Sequence, residues 1–345
     1  MIKFLKIIPL ILLLMTGCVN ASLQVNERAF VQLIGIEREF LGGNYVVTLQ
    51  LYSDNSDGET KNDVIQGEGE TISAAVANAE LKQGRKLFLG HLKLFVIGRG
   101  IIDVSHEFSY FLSGDITPAC PVVYAENPLE IAEAENKNGA FSADELLKLL
   151  NVFEGDGKTV ITPLTKVVTS GAESFTAAAI PVLTAEAGEV TVNGMTLVGR
   201  GGIYGELDNE AALGIALLGG YDSIKSVTVP VTVGEKKAAA VILSEKTELD
   251  VRFDKVYTLD VNCKIKCDVI ENPYGLSEHA ILEAVLRYVD SQIYKAFAVS
   301  AWEEEKDVFG IAKLLRKKSD GQYKAFLRSP REFLRGAGVD IEVRC

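Results

Sequence analysis

Histidine and carboxylate side chains are the groups best able to move protons or hold a metal, and in this chain they form no recognisable catalytic pattern. The three histidines are His91, His106 and His279, and none lies in an HExxH, HxH or CxxC-His arrangement. No GxSxG nucleophile turn occurs, and carboxylates such as Asp103, Glu126 and Asp307 show no pairing that spacing predicts. We therefore predict that the protein is not an enzyme and has no catalytic residues, metal site or cofactor.

Thiol chemistry is also sparse, because five cysteines in 345 residues are too few for a disulfide scaffold. Cys263 and Cys267 have CxxxC spacing, but four strand residues place them roughly 13 Å apart on the same face, too far for a mutual bond. We expect this pair to pack in a core. Cys120 and Cys345 could pair with other cysteines, so the disulfide state of all four residues is left open.

A glycine-rich segment runs from Gly199 to Gly205 and resembles a dinucleotide-binding loop only weakly. Tyr204 stands where a GxGxxG motif requires glycine, and the segment lies between predicted strands instead of opening a helix. It therefore predicts a hairpin turn and no phosphate site.

The strongest chemical signal lies in the first eighteen residues. Lys3 and Lys6 precede an apolar run from Ile7 to Met15. Nine helical residues rise only about 14 Å, against roughly 30 Å for the hydrocarbon core of a bilayer, so the run predicts an export signal and not a membrane-spanning helix.

Met15 to Cys18, with sequence Met-Thr-Gly-Cys, resembles a bacterial lipobox, in which the cysteine thiolate accepts a diacylglyceryl group before cleavage. We predict that residues 1–17 form a lipoprotein signal peptide cleaved between Gly17 and Cys18. Cys18 would then carry an S-diacylglycerol group and an N-acyl chain such as palmitate. Acyl chains contribute about 0.8 kcal/mol per buried methylene, which is enough for stable membrane attachment.

The charge of the mature chain does not favour membrane binding, so the lipid must supply the attachment. Removal of Lys3 and Lys6 with the signal peptide leaves 33 basic and 47 acidic residues, a net charge of -14. Such a surface repels phosphate backbones and anionic headgroups, which argues against nucleic acid as a partner. Hydrophobic residues make up 48% of the chain and charged residues 24%, the composition of a folded globular protein.

Hydrophobic periodicity predicts an α/β (α+β) fold with mixed sheets flanked by helices, and the length of the chain predicts two or three domains. The predicted domains are an N-terminal α/β domain over 18–184, a small middle β-rich domain with one helix over 185–228, and a C-terminal α/β domain over 229–345. The last of these contains a long helix over 278–303. Asp208 and Ser277 are predicted to cap the helices that follow them.

Individual elements follow from the same patterns. A hairpin is predicted over 29–36 and 45–52, joined by a turn at 42–44, and further strands over 122–125, 176–184, 191–198 and 202–207. Helices are predicted over 105–112, 128–135, 142–151, 210–218 and 307–315. Alternation from Val261 to Val269 predicts a strand with one solvated face.

Several segments in the same order carry a resemblance to one known family. They are Cys18, Arg28 to Glu37, Glu70 to Ile72, Arg85 to Lys93, Gly194 to Leu207 and Asp307 to Gly310. Together they resemble the Ger(x)C lipoproteins, the C subunits of nutrient germinant receptors in endospore-forming bacteria, over nearly the whole mature chain.

The resemblance implies a noncatalytic, lipid-anchored receptor subunit that is needed for spore germination. It also implies a mainly α/β fold of three packed domains. Members of this family lie at the outer face of the spore inner membrane, work with integral-membrane A and B subunits, and respond to amino acids, sugars or nucleosides. Two alternatives stay open on the residues alone. One is an extracytoplasmic solute-binding lipoprotein that captures a small nutrient in a cleft between domains, and the other is an envelope hydrolase that uses the scattered carboxylates.

Overall fold

The computed structural model describes residues 28–345 except 40–42, 53–62, 113, 115, 137–138, 220–225 and 255. The predicted signal peptide, Gly17 and Cys18 lie outside the described residues, as does Gly42 of the first predicted turn.

Strands in the described residues contribute to two larger sheets and one short ribbon. In chain order they are β1 (Arg28–Arg38), β2 (Tyr45–Leu51), β3 (Asp63–Gly69), β4 (Lys86–Phe88), β5 (Leu94–Ile97), β6 (Pro121–Tyr124), β7 (Glu135–Asn136), β8 (Gly139–Ala140), β9 (Thr162–Pro163), β10 (Ala177–Glu186), β11 (Glu189–Gly199), β12 (Gly202–Leu207), β13 (Val227–Val233), β14 (Lys236–Asp254), β15 (Val256–Glu271) and β16 (Gly338–Arg344).

Helices alternate with these strands. They are α1 (Ile72–Gln83), α2 (Val104–Leu112), α3 (Pro128–Ala132), α4 (Ala143–Gly155), α5 (Leu164–Ser170), α6 (Asn209–Leu218), α7 (Glu278–Phe297), α8 (Ile311–Lys318), α9 (Asp320–Phe326) and α10 (Pro330–Arg335). A π-helical segment, Ala298–Glu303, continues α7 directly. The described part of the chain thus has the mixed α/β content and mixed sheets that the periodicity predicts.

The larger sheet has the order β12-β11-β10-β6-β5-β1-β2-β3, with β4 also paired to β1 and β9 to β6. Its central strands β1, β5, β6 and β10 run parallel, and the antiparallel β2-β3 and β11-β12 flank them. Helices cover both faces: Phe95 and Ile97 of β5 pack among α1, α2 and α5, whereas Leu94 and Val96 pack among α3 and α4. Burial on both faces explains why β5 is a continuous apolar run.

Proline interrupts the central strand β10 at a position where the sheet tolerates it. The register between β10 and β11 shifts between Pro181 and Leu183. A proline has no N–H to donate to the ladder, so inside a sheet it is confined to bulges and edges.

The smaller sheet has the order β13-β14-β15-β16, with β16 parallel to β15. The apolar face of this sheet packs on α6 and α7, and Val261, Cys263 and Ile265 of β15 alternate with exposed residues as predicted. At the edge, Pro230 of β13 is exposed while its ladder partner in β14 is Ala239.

The two long helices of the C-terminal part approach each other closely at a glycine. A Cβ atom at Gly214 of α6 would lie 2.1 Å from the carbonyl oxygen of Gln292 in α7 and 2.7 Å from Cβ of Ala296. Only a residue without a side chain lets these helices reach their observed separation.

Both predicted helix caps are confirmed. The Asp208 carboxylate accepts a hydrogen bond of 2.7 Å from the Ala211 N–H at the start of α6, and the Ser277 hydroxyl accepts one of 3.3 Å from the Ala280 N–H in α7. The predicted long helix over 278–303 is confirmed in extent, but its last six residues are π-helical.

Two predicted helices have different bounds. The helix predicted over 128–135 ends at Ala132, because Glu135 and Asn136 pair with Gly139 and Ala140 as a short ribbon. The helix predicted over 307–315 begins at Ile311, since Gly310 adopts the left-handed conformation with φ 76° and interrupts the turn.

The predicted boundary at residues 184 and 185 falls inside β10, whose hairpin partner β11 lies in the same sheet. The division into three domains stays a prediction. None of the described helices has the length and the apolar character needed to cross a bilayer.

Candidate functional site

Two segments that are far apart in sequence meet where the smaller sheet and its helices join the larger sheet, and we call this contact the junction. Residues 306–307 lie after the π-helical segment, and residues 174–176 precede β10. The Asp307 N–H donates to the Phe175 carbonyl oxygen at 2.7 Å, and Lys306 Nζ donates to the Ser174 carbonyl oxygen at 2.7 Å. Asp307 and Thr176 also form an isolated parallel bridge. The junction therefore fastens the two parts of the chain by one hydrogen bond from a backbone N–H and one from a lysine side chain.

Asp307 holds the start of α8 at the junction. Its carboxylate oxygens accept hydrogen bonds of 2.8 Å from the N–H groups of Ile311 and Ala312. Burial raises the pKa of Asp307, while these donors and the N–H groups of Phe309 and Gly310 act to lower it. A carboxylate enclosed in this way serves as a helix cap.

Lys306 is a buried lysine, with only 2% of its surface exposed. Its Nζ lies 3.9 Å from the centroid of the Tyr204 ring, which provides a cation–π contact. Burial lowers the pKa of Lys306 to about 8, and the nearby Arg331 adds to the effect. The junction thus contains one group whose charge changes just above neutral pH.

A row of aromatic rings extends from the junction to the turn between β14 and β15. Phe175 packs edge-to-face on Phe326 at 5.0 Å between centroids, and Phe326 packs on Phe333 at 4.8 Å. Phe333 lies 4.0 Å from Tyr257, whose ring contacts Phe253 at 4.5 Å. Phe253 is 54% exposed, so the row joins the buried junction to the surface.

The π-helical segment fixes Trp302 between α7 and β16. The Trp302 Nε1–H donates a hydrogen bond of 2.6 Å to the carbonyl oxygen of Ala337, just before β16. Its ring packs edge-to-face on Tyr294 at 5.3 Å and on Phe297 at 5.4 Å. π-helical turns occur often at functional positions, and here the Trp302 in such a turn contacts both α7 and the residue before β16.

An open groove of about 760 Å³ lies between the β11-β12 hairpin and the end of α7. Its lining is mixed: Met195, Ile203 and Val299 are apolar, and Glu206, Asp208, Glu303 and Lys295 are charged. Lys295 Nζ already forms an ion pair of 2.6 Å with Glu210, which raises the pKa of Lys295. The groove consequently offers more negative than positive charge to a ligand.

The three histidines singled out from the sequence, and the carboxylates Asp103 and Glu126, lie at different places in the structure. His91 is exposed and packs edge-to-face on Phe30 at 5.4 Å and Phe88 at 5.6 Å, in the segment that carries the resemblance. His106 is exposed in α2, and His279 lies 3.3 Å from Glu283 in α7. Asp103 accepts the His106 N–H at 3.0 Å as a helix cap, and Glu126 is exposed after β6.

Metal ligands are not clustered in the part of the chain that the structure describes: no three His, Cys, Asp or Glu side chains there are placed to hold an ion. The glycine-rich segment forms the predicted hairpin turn between β11 and β12, with Gly201 at φ 104° and Gly202 at φ 117°. Cys120 and Cys263 are buried thiols.

Lys306 and Phe175 are the residues of this site that sequence reasoning missed. Lys306 follows the glutamates at 303–305 and resembles part of a solvated charged run. The one available signal was its position beside Asp307 to Gly310, a segment that already carried the resemblance.

Two family models match the chain, one after the other. Residues 22–185 match the family model described as the spore germination protein N-terminal domain, and residues 193–344 match the one described as the spore germination B3/GerAC-like C-terminal domain. No curated protein matches the chain significantly.

Among solved structures, the fold is similar to that in the crystal structure of the GerBC protein, with a TM-score of 0.60 and 13% sequence identity. The match covers 90% of this chain and 95% of that one. The chain belongs to the GerAC-like family of spore germinant receptor C subunits.

Proposed function

We propose that this protein is a noncatalytic, lipid-anchored subunit of a nutrient germinant receptor, and that it acts through contacts with the membrane A and B subunits. The observation that carries the proposal is the pair of collinear family matches over residues 22–185 and 193–344. The receptor would lie at the outer face of the spore inner membrane, with Cys18 holding the lipid.

The length of chain between Cys18 and the fold supports an anchoring role. Arg28, the first residue of β1, stands ten positions after Cys18. An extended chain spans at most roughly 3.3–3.6 Å per residue, so the start of β1 stays within about 35 Å of the lipidated sulfur. Confinement within this distance of the membrane raises the effective concentration of the subunit near membrane partners. Weak interfaces with those partners can then persist.

The junction supports a scaffolding role in place of a catalytic one. The Asp307 N–H and Lys306 Nζ bind the carbonyl oxygens of Phe175 and Ser174, and the Asp307 carboxylate accepts the Ile311 N–H at the start of α8. Polar groups committed to packing in this way are suited to hold surfaces in fixed relation for partner contacts.

The proposal is tested in spores that carry Cys18→Ala, with Cys120→Ala as a matched control that leaves the predicted lipobox intact. We expect the Cys18→Ala protein to keep its signal peptide, to lack lipid and to leave the membrane fraction, and the spores to respond poorly to nutrients. Affinity capture of the wild-type protein from detergent-solubilised spore membranes should bring the A and B subunits with it. Normal nutrient germination in a strain that lacks the protein would overturn the proposal.

A second candidate function is capture of a small nutrient, and the groove between β11-β12 and α7 favours it. An excess of carboxylates in the groove suits a solute with an ammonium group, such as a free amino acid. Isothermal titration calorimetry of the protein with amino acids, sugars and nucleosides tests this candidate. Saturable heat with wild type that is lost in Glu303→Gln would support it, whereas no heat with any of these solutes would exclude it.

A further inference from the structure

Two thiols from different strands of the smaller sheet come together at one end of that sheet. Sγ of Cys267 in β15 lies 3.0 Å from Sγ of Cys345, which follows β16. Cys267 is half-buried and Cys345 is exposed. A disulfide has an S–S length of about 2.05 Å, so a movement of about 1 Å separates this contact from a covalent bond.

Strand alternation and register place these two cysteines on the same face of the smaller sheet. In the parallel pair β15-β16, Cys263 stands opposite Val343 and Lys264 opposite Arg344. Because side chains alternate, Cys345 projects on the same face as Val343, and Cys267 on the same face as Cys263. Cys345 follows Arg344, the last paired residue of β16.

We propose that Cys267 and Cys345 form a reversible disulfide that fastens the end of β16 to β15. The reaction is exchange with an external disulfide, such as oxidised glutathione. The exposed Cys345 thiolate attacks one sulfur of the external disulfide and releases one external thiol. The Cys267 thiolate then attacks Sγ of Cys345 and releases the second. The two protein thiols lose their protons to solvent and are oxidised together, while one external disulfide is reduced to two thiols.

Accessibility assigns the order of attack. Burial and the adjacent Cys345 raise the pKa of Cys267 to about 12, so Cys267 is a poor first nucleophile and acts only after the mixed disulfide has formed beside it. Cys120 and Cys263 are buried, and burial raises the pKa of the Cys120 thiol to about 12. Neither is positioned to compete for an external disulfide.

Digestion with a protease that cleaves on the C-terminal side of lysine tests the bond directly. It places the two cysteines in separate peptides, 267–295 and 325–345, and neither peptide contains another cysteine. Protein purified from spore membranes is alkylated without reduction, digested and analysed by mass spectrometry. We expect the two peptides to be joined, lighter by two hydrogen atoms than their sum, and to separate on reduction. The same product should form when reduced protein is exposed to oxidised glutathione at pH 8.

Serine variants and a thermal readout complete the test. Oxidised wild type should melt higher than reduced wild type by on the order of 5 °C, since the bond closes a long loop. Cys267→Ser and Cys345→Ser should abolish this difference, and Cys263→Ala should keep it. Recovery of both peptides as alkylated free thiols from spore protein and after treatment with oxidised glutathione would overturn the proposal, as would a bond from either cysteine to Cys263.

Discussion

Lys306 Nζ donates a hydrogen bond of 2.7 Å to the carbonyl oxygen of Ser174, a residue 132 positions earlier in the chain. The contact places an ionisable group inside the junction, over the ring of Tyr204. Because a buried ammonium group is costly unless it is compensated, the stability of the junction should depend on pH.

Lys306→Met is expected to flatten that dependence. The pKa of Lys306 is about 8 in the folded protein, against 10.5 when the side chain is unperturbed. Between these values the unfolded chain binds more protons than the folded one, so the lysine makes wild-type stability rise with pH. Between pH 7.5 and 9.5, urea unfolding should show a rise on the order of 2 kcal/mol in wild type relative to Lys306→Met.

The exposed Lys313 provides the control for this measurement. Lys313→Met should follow the wild-type curve over the same pH range. Parallel curves for wild type and Lys306→Met would show that Lys306 does not titrate in this window.

The aromatic contact across the junction should be energetically coupled. Phe175→Ala and Phe326→Ala each remove a buried ring, and we expect Phe326→Ala alone to lower the free energy of unfolding by about 3–5 kcal/mol. The double variant should be less destabilised than the sum of the single variants by about 0.5–1.5 kcal/mol, because the edge-to-face pair can be lost only once. Chemical denaturation of the wild type, the two single variants and the double variant measures the coupling.

Leu81→Ala is the control, because Leu81 is 79% exposed, and it should change the free energy of unfolding by less than about 0.5 kcal/mol. Strict additivity of Phe175→Ala and Phe326→Ala would contradict the contact.

A methyl group at Gly214 should separate α6 from α7. The new Cβ would meet the Gln292 carbonyl oxygen at 2.1 Å, so Gly214→Ala is expected to cost about 1–3 kcal/mol despite the better helix propensity of alanine. Gly155→Ala in α4 meets nothing within 4 Å and should stabilise the protein by about 0.4–1 kcal/mol. Thermal unfolding of both variants checks the prediction, and equal effects of the two substitutions would refute it.

Removal of the Asp307 side chain should loosen the start of α8. Asp307→Ala leaves the buried N–H groups of Ile311 and Ala312 without acceptors, which is expected to cost about 1–3 kcal/mol. Asp307→Asn keeps one acceptor oxygen and should lose less stability than Asp307→Ala. Urea unfolding at pH 7 compares the two, and hydrogen exchange should locate the loss in α8. A lower free energy of unfolding for Asp307→Asn than for Asp307→Ala would contradict the role of Asp307 as a helix cap.

Local signals predicted the regular elements well. The caps at Asp208 and Ser277 depend on side chains within a few residues of the helix starts, and the alternation in β15 reflects a sheet with one solvated face. The family resemblance extended this reading to the fold class, and the similarity to the GerBC crystal structure confirms that class.

The junction was beyond the reach of local patterns. Its contacts pair Lys306 with Ser174 and Phe175 with Phe326, and no periodicity within a window of residues encodes such distant partners. The early end of α3 has a different, local origin, since β7 pairs with β8 only a few residues ahead instead of continuing the helix. Strand pairing overrode helix propensity there.

Pro230 limits how a partner can meet the smaller sheet. A neighbouring polypeptide that added itself as a further strand along β13 would need a donor where this residue has only a pyrrolidine ring. Strand addition is therefore interrupted at the middle of that edge, which protects the protein against edge-to-edge aggregation. Recognition along β13 therefore depends on side chains. Substitutions of these side chains can adapt the edge to one partner protein without altering the backbone.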